Sequence, residues 1–167
     1  MVNPPTTLSA LTLKTSEDRI EFGYTLLPYF DTLRFCTIEY LELDCKTFGS
    51  TFYKFIPTTV KKLKFKSEEK KANEELVHSL LMQKSTIVHL DLCLQKGEKE
   101  EVLKALSLLA YLRSLSLYGI DVNREAVEDL LAITTLDELR LVACHLCEEA
   151  KSGLEAGMFR LFTSNCL

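Results

Sequence analysis

With 167 residues, of which 47% are hydrophobic and 26% charged, the chain has the balance of one globular domain, long enough to bury a core without disulfides or metal. A formal net charge of -4 gives it no overall attraction for nucleic acid or for an anionic membrane. No apolar run nears the roughly 20 residues that cross a bilayer. The opening MVNPPTTLSALTLK also lacks the basic and apolar regions of a secretory signal, so the expected location is intracellular, cytoplasmic or nuclear, with no membrane partner.

The first apolar pattern is Leu8, Leu11 and Leu13, spaced as L-x-x-L-x-L. Phe22, Leu26, Phe30 and Leu33 follow at the three- and four-residue steps of a helical face. The strand pattern returns as Ile38, Leu41 and Leu43, and again, after a helical Phe48, Phe52 and Phe55, as Val60, Leu63 and Phe65. A helical segment on Leu76, Leu80 and Leu81 leads to Ile87, Leu90 and Leu92; its His78 is expected at the surface or locally satisfied. Gly97-Glu-Lys-Glu-Glu places carboxylates at the positive end of a helix carrying Val102, Leu106 and Leu109. After Leu112, Leu115 and Leu117, Asn123 is the expected cap of a helix on Val127, Leu130 and Leu131. The sixth copy is Leu136, Leu139 and Leu141, and a weaker seventh is Met158, Leu161 and Thr163.

The middle positions of these copies, 11, 41, 63, 90, 115, 139 and 161, are 30, 22, 27, 25, 24 and 22 residues apart, a mean of 25. A strand and a helix repeated in one sense must lay the strands parallel, joined by right-handed connections. Each unit then buries its apolar face against its neighbours.

The sixth copy in full, Leu136-Asp-Glu-Leu-Arg-Leu-Val-Ala-Cys144-His-Leu146, fits L-x-x-L-x-L-x-x-N/C-x-L at every fixed position. From about residue 8 to 165 the chain resembles leucine-rich-repeat proteins of the ribonuclease-inhibitor and cysteine-containing, F-box-associated classes. The resemblance implies an α/β fold: a right-handed solenoid bent into a horseshoe arc, with a parallel sheet on the concave face and helices on the convex face. About six to seven repeats would form a single domain over residues 1–167, with atypical terminal repeats near 1–35 and 148–167. It also implies that Cys144 turns inward to satisfy backbone groups where its strand ends. Lys46, Glu68, Gln95 and Ile120 hold that position in earlier copies, so irregular turns are expected there. The implied function is non-catalytic: binding another protein on the concave face, as an adaptor, a ubiquitin-ligase substrate receptor or a pathogen effector in the host cytosol. The protein alone would be a monomer without a cofactor.

Side chains alternate along a strand, so if the leucines face the core, the residues between them face outward. Five rows follow: Tyr40, Glu42 and Asp44; Lys62, Lys64 and Lys66; His89, Asp91 and Cys93; Ser114, Ser116 and Tyr118; Glu138, Arg140 and Val142. Strands about 4.8 Å apart put the acidic row beside the lysines, with Glu42 opposite Lys64. The rows are either a solvated face that keeps the sheet from sticking to others or a docking surface anchored by Tyr40 and Tyr118. The lysines alternate with core residues and are interrupted by Glu68 and Glu69, which speaks against nucleic acid as the partner.

The alternative is an enzyme using His89, Asp91 and Cys93. Neighbours two apart on a strand project in parallel about 6.6 Å from each other, whereas a nucleophile and its base must come within about 3.2 Å. No fourth ligand completes a metal site there, and Cys144-His-Leu-Cys147 has no second pair to complete a zinc site, so no metal is expected. The six cysteines, Cys36, Cys45, Cys93, Cys144, Cys147 and Cys166, are expected as reduced thiols.

Overall fold

The computed structural model describes residues 7–14, 37–44, 53, 56–67, 72–83, 85–94 and 99–166. Wherever a motif copy falls in these residues it forms a strand: β1 (Thr7–Lys14), β2 (Thr37–Asp44), β3 (Lys62–Lys66), β4 (His89–Cys93) and β5 (Ser114–Tyr118). β6 (Asp121–Val122), β7 (Glu138–Val142), β8 (His145–Leu146) and β9 (Arg160–Ser164) complete the strands described. Among the described residues four helices alternate with them: α1 (Ala72–Met82), α2 (Lys99–Leu106), α3 (Arg124–Leu131) and α4 (Glu148–Glu155).

Seven strands form one parallel sheet in the order β1-β2-β3-β4-β5-β7-β9, so the chain advances across it in one direction. The leucine spacing is the pairing register. Leu11, Leu41, Leu63, Leu90, Leu115, Leu139 and Leu161 lie side by side across the sheet. One backbone device recurs at the three steps from β3 to β7: a single carbonyl accepts two successive amides at the start of the next strand. Lys61 O takes the N–H groups of Val88 and His89 at 2.8 and 2.9 Å, and Arg113 O takes those of Asp137 and Glu138 at 2.8 and 3.0 Å.

The inward residues Leu63, Leu90, Leu115 and Leu139 are fully buried, together with Leu76, Leu103 and Leu130 of the helices. The helices therefore cover the leucine face, and neighbouring helices pack on one another in chain order. Asn123 caps α3 as expected, its Oδ1 accepting the Ala126 N–H at 3.0 Å. α4 comes so close to α3 that a β-carbon on Gly153 would lie 3.0 Å from Val127 Cγ1.

After β5, β7 and β9 the backbone turns through a positive φ, at Gly119 (69°), Ala143 (53°) and Asn165 (51°). The next residue then points inward: Ile120, Cys144 and Cys166. Ile120 thus occupies the same turn as Cys144, which corrects the irregularity expected there. An apolar side chain fills the inward position as well as a thiol does, because the left-handed residue before it sets the turn. The two-residue strands β6 and β8, which pair just beyond these turns, were not anticipated. Cys144 Sγ donates to Val142 O at 3.4 Å and Leu117 O at 3.6 Å, and Cys166 Sγ donates to Leu141 O at 3.4 Å and Ser164 O at 3.6 Å.

The seventh copy joins the sheet as β9 without burying its apolar side fully. Leu161 packs against the core, while Met158 and Thr163 are exposed. Leu131, expected on the buried helix face, is 38% exposed at the end of α3. The helical patterns on Phe22 to Leu33 and on Phe48, Phe52 and Phe55 lie outside the described residues, as do Cys36, Cys45 and the turns at Lys46, Glu68 and Gln95. Among the described residues no helix is long and apolar enough to cross a membrane.

Candidate functional site

A parallel sheet is ordinarily covered on both faces. Here the helices cover the leucine face, and the polar residues that alternate with the leucines line the other. The register sets these outward residues in three lines across the sheet. The first is Tyr40, Lys62, His89, Ser114, Glu138 and Arg160. Glu42, Lys64, Asp91, Ser116, Arg140 and Phe162 form the second, and Asp44, Lys66, Cys93, Tyr118, Val142 and Ser164 the third. All five expected rows therefore share one face. Arg160 and Phe162 on β9 extend it by a sixth row that the weak seventh motif did not reveal.

Two ionic clusters flank this face. On β2 and β3, Lys64 Nζ lies 3.0 Å from Glu42 Oε1, and Lys66 Nζ lies 3.5 Å from Asp44 Oδ1. The Tyr40 hydroxyl donates to Glu42 Oε2 at 3.1 Å, and Lys62 Nζ lies 5.5 Å from the centre of the Tyr40 ring. Burial, followed by the Glu42 carboxylate, raises the Tyr40 hydroxyl above its ordinary pKa. The hydrogen bond to Glu42 likewise raises Lys64.

On β7 and β9, Glu138 accepts from Arg140 and, at 3.4 Å, from Arg160 Nη2. The Arg140 hydrogen bond holds the Glu138 carboxyl below its ordinary pKa. The Arg140 guanidinium also lies over the Phe162 ring, 5.1 Å from its centre. Between the clusters, Ser114 and Ser116 are too short to fill the surface, which leaves a depression of about 610 Å³. Lys62, Asp91, Tyr118, Arg140 and Phe162 line it with the serines.

Two outward residues are less accessible than alternation alone implies. Glu42 is 9% exposed and Ser116 5%, because neighbours cover them on both sides: Tyr40 and Lys64 engage Glu42, while Asp91 and Arg140 stand beside Ser116 in the register. His89 is exposed and His78 lies on the outer side of α1. His89, Asp91 and Cys93 stand in succession on β4, on a face that does not exclude water. Among the described residues no three His, Cys, Asp or Glu side chains are placed to hold a metal ion. Cys147, the second thiol of the Cys144-His-Leu-Cys147 spacing, precedes the first residue of α4, is exposed, and makes no side-chain capping bond.

No family model, curated protein or solved structure matches this chain.

Proposed function

We propose that the chain is a leucine-rich-repeat solenoid that docks another protein on the open face of its sheet, acting as an adaptor or receptor module without catalysis. One observation carries this role: a parallel sheet that none of the described helices covers on one side, with a depression of about 610 Å³ on that side. Aromatic and arginine side chains, the types that dominate protein interfaces, line it as Tyr118, Phe162 and Arg140, with Tyr40 one strand beyond Lys62. The one-directional strand order and the leucine register support the solenoid, in which this face is the concave one.

Photocrosslinking tests the role. With benzoylphenylalanine in place of Tyr118, a partner should be trapped in the cells that make the protein. The same reporter in place of Lys151, exposed on α4, should trap none. A crosslink from position 151 with none from 118 would move the docking surface to the helices.

A further inference from the structure

Asp91 lines the depression on its β4 side, with Lys64 opposite it on β3 and Ser116 opposite it on β5. It is half-buried, yet among the described residues its carboxylate makes no ion pair and no side-chain hydrogen bond. The cations around it are engaged elsewhere, and each leans away. Lys64 reaches 3.0 Å to Glu42, and Lys62 lies 5.5 Å from the centre of the Tyr40 ring, both toward β2. On the other side Arg140 is held by Glu138 and lies over Phe162, toward β9. Ser114 and Ser116 bring no charge. Lys64 and Arg140 thus already have anionic partners, whereas Asp91 lines the depression with no ion pair or side-chain hydrogen bond among the described residues.

A charge in a recess loses hydration, and only an opposite charge with good hydrogen bonds repays that loss. Tyr118, diagonal to Asp91 across the β4–β5 pairing, supplies an aromatic side chain beside it. The short serines leave room for a long side chain to enter. An acidic segment would find Lys64 and Arg140 already paired with Glu42 and Glu138, and Lys62 drawn over the Tyr40 ring.

We infer that the partner docks by inserting a basic side chain into this depression, its cation pairing with Asp91 against Tyr118. Arginine suits the site better than lysine, because its planar fork grips a carboxylate at two points and stacks on a ring. The inference rests on the docking role proposed above and names the chemistry of the partner.

The test uses the full chain and a phage-displayed library of random peptides as the probe, with two variants. Asp91→Asn removes the charge at nearly constant shape. Ser116→Tyr fills the depression without changing its charge; if it does not fold, Ser114→Tyr replaces it. Peptides selected on the parent chain should share an Arg or Lys. They should lose about tenfold or more in affinity on Asp91→Asn, as expected for a charge-assisted pair. They should not bind Ser116→Tyr. Changing the shared basic residue to Gln should weaken binding to the parent and cost little further on Asp91→Asn. Selected peptides blocked by Ser116→Tyr but indifferent to Asp91→Asn would overturn the cation pairing and leave the docking face standing. Peptides indifferent to both variants would overturn both, and a library that yields no binder would also overturn the inference.

Discussion

Leu115→Ala is the sharpest perturbation of the fold. Leu115 is fully buried on β5, with Leu90 on one side of it in the register and Leu139 on the other. Truncation removes about three methylene-sized groups, worth roughly 0.8 kcal/mol each in lost burial, or about 2.4 kcal/mol. Both neighbouring strands are hydrogen-bonded on their far sides as well, so the site cannot collapse freely and a cavity term adds to the loss. The expected total is about 3 to 5 kcal/mol, a large part of the 5 to 15 kcal/mol by which a domain is ordinarily stable. Leu161 on β9 and Leu11 on β1 are only half-buried, each with one neighbouring strand, so the same truncation should cost about 1 kcal/mol there. Urea unfolding of the three variants, compared at unchanged slope, measures the differences. A loss at Leu161 or Leu11 equal to that at Leu115 would refute the ordering.

Cys93, Cys144, Cys147 and Cys166 carry thiols, not disulfides, so dithiothreitol should leave the melting temperature unchanged; a drop of several degrees would contradict this. Burial raises the Cys144 thiol above its ordinary pKa. The unfolded chain therefore deprotonates first, and stability should decline as pH rises past about 8.5. Cys144→Ala should remove that part of the slope; an unchanged pH profile would count against the burial of this thiol. Glu138, held low by Arg140, favours the fold above the ordinary carboxylate range, and that contribution is lost as pH falls through its folded pKa. In a carbon-detected NMR titration Arg140→Gln should move the Glu138 midpoint upward, and an unmoved midpoint would show that the pair does not persist in solution. Reversing Lys62, Lys64 and Lys66 to Glu sets carboxylates against Glu42 and Asp44. The pairs are partly exposed, so the loss should stay near or below about 1 kcal/mol per pair, with the circular dichroism spectrum intact; global unfolding would refute that estimate.

The sheet was legible because its register is a linear spacing. Once Leu41, Leu63, Leu90, Leu115 and Leu139 are aligned, alternation assigns every residue between them to the opposite face. α3 was legible from Asn123, since a side-chain cap is a local signal. The turns after β5, β7 and β9 were not, because their left-handed position is held in turn by Gly119, Ala143 and Asn165, and the alanine between the two permissive residues gives no signal. The equivalence of Cys166 with Cys144 was hidden for a similar reason: the seventh motif opens on Met158, which is exposed, and Phe162 breaks its polar alternation. On the open face, sequence places the side chains but not the directions in which they lean. That Lys62 and Lys64 turn to β2 while Arg140 turns to β9, so that none of them forms an ion pair with Asp91, depends on which partners the neighbouring strands supply.

Hydroxyl-radical footprinting of the chain alone and in complex with its partner tests the docking face most directly. Tyr40, Tyr118 and Phe162 report on the open face, whereas the exposed Met82, Tyr111 and Met158 lie outside its strands and serve as references. Binding should cut oxidation of the first three several-fold and leave the second three unchanged. Protection of Met82, Tyr111 and Met158, with Tyr118 and Phe162 oxidised as before, would contradict the account.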